Sequence, residues 1–94
     1  MAVFVVTSAS QGSAQLVEDA IKSAFSEDDV LTLGPLTWLI NDENNSNPIA
    51  VSEKLGVLDS DKAGDIGPYI INQFSNYYGY HNNTIWDWLR AKGL

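Results

Sequence analysis

Apolar residues fall along this chain in two rhythms. Val3–Val6 is a short unbroken apolar run closed by the small polar stretch Thr7–Ser13, and it reads as a strand over Val3–Thr7. Val17, Ala20, Ile21, Ala24 and Phe25 then recur at helical spacing, predicting a helix from Ser13 to Phe25 with Glu18 and Lys22 as an i,i+4 pair. After an acidic turn over Ser26–Asp29, Leu31–Ile40 reads as one strand folded back on another. The Asn-rich stretch Asn41–Asn47 reads as a loop, and Asn47 caps a second helix with Pro48 at its first position. Val51, Leu55 and Leu58 form that helix's buried face and Gly56 ends its regular part. Beyond a second acidic loop over Asp59–Gly67, a fourth strand covers Tyr69–Phe74. Asn76–Asn83 is an aromatic connector. Thr84 then caps a third helix, with Asp87 in the capping-box position and Ile85, Trp88 and Leu89 inside.

The hairpin has a register that its own residues predict. With Gly34 and Pro35 central in a type II′ turn, Leu33 faces Leu36, Thr32 faces Thr37, Leu31 faces Trp38 and Val30 faces Leu39. Leu31, Leu33, Leu36, Trp38 and Ile40 then share one face, and Val30, Thr32, Thr37 and Leu39 the other. The element order is βαββαβ plus a terminal helix. This predicts one α+β domain over residues 1–94, a ferredoxin-like sandwich with an antiparallel four-stranded sheet and an additional C-terminal helix. Strands one and three, the most continuously apolar, are expected in the middle. Helices one and two cover one face. The third helix, with Trp86 and Trp88, or a second copy of the chain covers the face that carries Val30 and Leu39.

Charge narrows the partners. Twelve acidic residues against five basic ones give a net charge of −7, and the basic residues are scattered. Nucleic-acid binding by a monomer is therefore not expected, since tracking phosphates needs clustered Lys and Arg. Cysteine is absent, which excludes disulfides, thiolate metal sites and a catalytic thiol. No apolar run approaches the roughly 20 residues of a membrane span, and no signal-peptide pattern opens the chain, so the expected location is the cytoplasm.

Candidate chemistry is sparse. The Thr7–Ser13 turn before the first helix has hydroxyls and backbone N–H groups suited to a phosphate, and equally to capping the helix. Asp59-Ser60-Asp61-Lys62-Ala63-Gly64-Asp65 resembles the start of a calcium loop but carries Ala63 and Ile70 where oxygen ligands are needed. Glu27, Asp28 and Asp29, with Asp42 and Glu43, stand at strand ends where a hard cation is one use for them. His81 is the single histidine, too few for a triad or a His-rich metal site. Asn44-Asn45-Ser46 and Asn82-Asn83-Thr84 match a glycosylation pattern that has no meaning without secretion. The densest cluster is aromatic: Tyr77, Tyr78, Tyr80, Trp86 and Trp88, residue types that serve as core or as interface anchors.

The opening strand Val3–Val6, the strand Leu36-Thr37-Trp38-Leu39-Ile40, the Ser52-Glu53-Lys54-Leu55 helix and the closing Trp88-Leu89 helix make the chain similar to SinR-like small ferredoxin-fold proteins. These are relatives of the small CRISPR-associated ferredoxin-fold nucleases. The resemblance implies a dimeric fold. It does not carry over nuclease activity, because the aspartate those nucleases place at the end of strand one is here Thr7-Ser8.

The function expected is that of a non-catalytic domain acting by homodimerisation or by binding a protein partner, without a cofactor. Val30, Leu39, Tyr77, Tyr78, Tyr80 and Trp86 are the expected contact residues. Two other readings stand beside it. One is a metal-dependent nuclease-like protein, inactive for want of the strand-one aspartate. The other is an acidic decoy occupying the groove of a nucleic-acid-binding protein.

Overall fold

The computed structural model describes residues 2–44, 47–56, 66–74 and 78–94. Within them lie β1 (Ala2–Ser8), α1 (Ala14–Ala24), β2 (Val30–Gly34), β3 (Thr37–Asp42), α2 (Pro48–Lys54), β4 (Tyr69–Phe74) and α3 (Asn83–Ala91). Short 3-10 turns at Gln11–Ser13 and Glu27–Asp29 lead into α1 and β2. The strands form one antiparallel sheet in the order β2-β3-β1-β4, with β1 and β3 in the middle. The unbroken apolar run of β1 follows from that place. Phe4 and Val6 enter the core on one side of the sheet, and Val3 and Val5 the core on the other.

Helices cover both faces. Val17 and Ile21 of α1, Val51 of α2 and Leu55 at its C-terminal end pack with Phe4, Val6, Trp38 and Ile40. Leu58 lies outside the described residues. On the opposite face Ile85 and Leu89 of α3 pack on Val3 and Leu39. The chain's own third helix therefore covers Leu39, which is left with no exposed surface. No helix among the described residues is long and apolar enough to cross a membrane.

The helix ends follow from capping chemistry, with one correction. Asn47 caps α2 as expected, its side-chain oxygen accepting from the Ile49 N–H at 2.8 Å. The cap of α3 is Asn82 and not Thr84. Asn82 has an extended backbone and accepts from the Ile85 N–H at 3.4 Å, so the helix begins before Thr84, which stays exposed. Gly56 and Gly93, both at φ 92°, end α2 and α3 in the left-handed conformation that glycine takes without strain.

The hairpin forms between the expected strands but in a different register. Val30 pairs with Ile40, Leu31 with Leu39, Thr32 with Trp38 and Gly34 with Thr37. Pro35 and Leu36 are the loop residues, and Gly34 does not have the positive φ of a type II′ turn. Moving the turn one residue along shifts every pair by two, which leaves the faces unchanged. The bulge between Thr32 and Gly34 makes the remaining single step. That step swaps the faces. Leu31 and Leu33 pack toward Leu39 and α3, whereas Val30 packs toward Trp38 and Ile40 on the α1 side. Val30 and Leu39, expected on one face, lie on opposite ones.

Candidate partner-binding surface

The segment just ahead of α3 is tied to the sheet by a histidine. His81 Nδ1 accepts a hydrogen bond from the Asn82 N–H at 2.9 Å, and Nε2 lies 2.9 Å from the carbonyl oxygen of Leu33, the bulged residue of β2. An amide N–H only donates and a carbonyl only accepts. The ring is therefore the neutral tautomer with its proton on Nε2. Through it the bulge and the start of α3 are tied together.

Beside this tie Tyr78–His81, α3 and the sheet border an open cavity of about 170 Å³. Its walls include Phe74, Tyr78, Tyr80 and Trp86, together with Leu33 and His81. Tyr78 and Tyr80 are fully exposed at its rim, with relative exposures of 103% and 100%. Trp86 is half-buried against the α3-side core. Large aromatic surface left in water is a feature of interface anchors.

The residues expected to contact a partner therefore separate. Tyr78, Tyr80 and Trp86 meet at this cavity. Leu39 lines it from beneath α3 without exposed surface. Val30 lines a different cavity, of about 340 Å³, with Lys22, Phe25, Glu27 and Thr32. Tyr77 lies outside the described residues. Sequence reasoning did not place Leu33, Phe74 and His81 here. Phe74, last residue of β4, abuts the aromatic connector and was the one member with a legible signal.

The acidic strand ends are engaged by lysines on opposite faces of the sheet. Asp29 Oδ1 accepts from Asn41 Nδ2 at 3.1 Å and from Lys92 Nζ at 3.2 Å, while Ser26 Oγ donates to Oδ2 at 3.0 Å. Burial pushes the Asp29 carboxyl up, but these hydrogen bonds and the charge of Lys92 outweigh it and hold the group below its ordinary value. Asp42 has a fully buried side chain and pairs with Lys54 Nζ at 2.9 Å, and its other carboxylate oxygen accepts from the Asn44 N–H at 3.0 Å. Glu27, Asp28 and Glu43 are exposed. No group of three or more metal-ligating side chains occurs among the described residues.

In the Thr7–Ser13 turn the hydroxyls serve the backbone. Ser8 Oγ donates to the Ser10 carbonyl at 2.8 Å, and Ser13 Oγ donates to the same oxygen at 3.4 Å. The calcium-like stretch Asp59–Asp65 lies outside the described residues. No protein-family model, curated protein or solved structure matches the chain.

Proposed function

We propose that this chain is a non-catalytic binding domain of ferredoxin-like architecture, and that it acts by holding another protein against its β4–α3 connector. The observation that carries the reading is the pair of fully exposed rings, Tyr78 and Tyr80, at the mouth of an apolar cavity. The β2-β3-β1-β4 order, with its central β1 and β3, supports the ferredoxin-like part. The acidic composition and scattered lysines favour a protein over a nucleic acid as partner.

A second copy of the chain is the alternative partner. The edge position of β4 favours it, because Ile70 on that strand is 59% exposed. Light scattering across a range of concentrations separates the two. A mass that doubles with concentration supports self-association. A constant monomer, with a partner retained by the native chain and lost from a Tyr78→Ser/Tyr80→Ser variant, supports binding of another protein. A monomer that retains no partner, or retains it equally in the variant, defeats the reading.

A further inference from the structure

We propose that the partner adds an extended, lysine-flanked segment of its chain to the outer edge of β4, as a fifth strand of the sheet. This rests on the binding-domain reading and specifies how the partner is held. The Ser8 N–H donates to the carbonyl of Leu36, just before β3, at 2.8 Å, and the Ala9 N–H donates to the carbonyl of Pro68, just before β4, at 2.9 Å. Along β1, even-numbered residues therefore turn their backbone groups to β3 and odd-numbered residues to β4. Thr7 pairs with Ile70 and Val5 with Asn72, so Ile70 and Asn72 direct their N–H and C=O groups to β1. Ile71 and Gln73 alternate with them and point theirs outward, where no hydrogen bond among the described residues reaches them. An edge strand with open donors and acceptors is a template for a further strand.

The two edges of the sheet differ. β2 is bulged, and the charged side chains of Lys22 and Glu27 line a cavity with its Val30 and Thr32. Bulges and charges at an edge discourage strand addition. β4 pairs with β1 without a bulge and contains no charged residue and no proline. Apolar surface lies on both sides of its edge. Ile70 is exposed on the α3 side. On the opposite face Ser52 of α2 and Tyr69 of β4 share a 2.6 Å hydrogen bond, and Ile49, three residues before Ser52 on that flank of the helix, is exposed. The side chains of an added strand alternate between the two faces and so reach both isoleucines. The net charge of −7 attracts a segment flanked by lysines and opposes a second copy of the chain.

The test titrates the full chain, ¹⁵N-labelled, with a peptide of alternating valine and threonine carrying lysines at both ends. A parallel titration uses the same peptide with its core amides N-methylated, which keeps charge and side chains but removes the backbone donors. The amides of Ile71 and Gln73 should exchange freely in the free chain and become protected when the first peptide binds. The methylated peptide should bind about thirtyfold more weakly, the product of two ordinary hydrogen bonds lost to the Ile71 and Gln73 carbonyls. Ile70→Lys, at an exposed position, should lower the affinity of the first peptide about tenfold and leave the melting temperature unchanged. Equal binding of the two peptides overturns the inference, as does binding that leaves Ile71 and Gln73 unprotected, or no binding. Protection of these amides that rises with the concentration of the chain alone assigns the edge to a second copy and overturns it too. If the peptide fails while a partner is retained by the native chain and lost from Tyr78→Ser/Tyr80→Ser, the binding-domain reading stands and only strand addition falls; if no partner is retained, both fall.

Discussion

His81 and Leu33 stand forty-eight positions apart, and the imidazole Nε2–H of the first donates a 2.9 Å hydrogen bond to the carbonyl of the second. The bond joins a bulge in an edge strand to the segment that starts α3. Long-range ¹H–¹⁵N spectra should show a pyrrole-like Nε2 and a pyridine-like Nδ1. His81→Ala should cost about 1 kcal/mol, the ordinary net worth of a hydrogen bond, and should move the amide signals of Leu33 and Asn82. Protonated Nδ1 in the native fold at neutral pH would contradict the geometry.

The cap of α3 discriminates between two neighbouring residues. Asn82→Ala should lower stability by about 1 kcal/mol, as loss of a helix cap does. Thr84→Ala, at an exposed helical position, should change it by less than about 0.5 kcal/mol. Urea denaturation of both variants is sufficient, and the reverse ranking would move the helix start to Thr84.

Asp29 gives the fold an acid-sensitive tie. Its carboxyl ionises more readily in the folded chain than at its ordinary value of 3.8. The stabilisation is complete above that value and fades as pH falls through the lower folded value, because protonation then discards the charged bonds to Lys92 and Asn41. Asp29→Asn should be less stable than the native chain by about 1 kcal/mol at pH 7. The gap should narrow as pH falls through the lower folded value, where the native carboxyl also becomes neutral. A gap independent of pH would refute the assignment.

Lys54 compensates a buried charge. Lys54→Met keeps much of the side chain's volume but leaves Asp42 without its cation, and should cost about 2 kcal/mol, less than a fully buried pair because Lys54 is partly exposed. The Asp42→Asn/Lys54→Met double variant should recover part of that loss. Additive losses across this cycle would mean that the two residues are uncoupled.

Leu89→Ala opens a cavity in the α3-side core and should cost about 2–4 kcal/mol. Since α3 and the sheet belong to one chain, the melting temperature of this variant and of the native protein should not vary with protein concentration. A strong dependence would mean that a second copy contributes to covering Leu39.

Legibility in the sequence followed the strength of local signals. β1 and α1 were readable because an unbroken apolar run and a helical period have few competing interpretations. The hairpin was readable as a hairpin, but its register was not. Gly34-Pro35 and Pro35-Leu36 are both plausible turn centres, and Val30, Leu31 and Leu33 offer apolar side chains to either face. Nothing polar penalises the slip locally, so the bulge that decides it depends on tertiary contacts such as the His81 bond. The aromatic cluster was legible as composition. Its division into an exposed pair and a half-buried Trp86 required the position of α3. The links from Trp88 Nε1 to the Asp28 carbonyl and from Lys92 to Asp29 span about two thirds of the chain and leave no local trace.

The central place of β1 has a consequence for the order in which the protein is assembled during synthesis. Both of its hydrogen-bonding neighbours, β3 and β4, follow it in the chain. As the polypeptide leaves the ribosome, the Val3–Val6 segment has no partner until residue 42 has emerged, and its second edge stays open until residue 74. Its α3-side face waits longer still, for Ile85 and Leu89. The apolar Val3–Val6 segment is thus left unpaired for much of the time the protein is being made, and an open apolar strand edge in that interval favours aggregation.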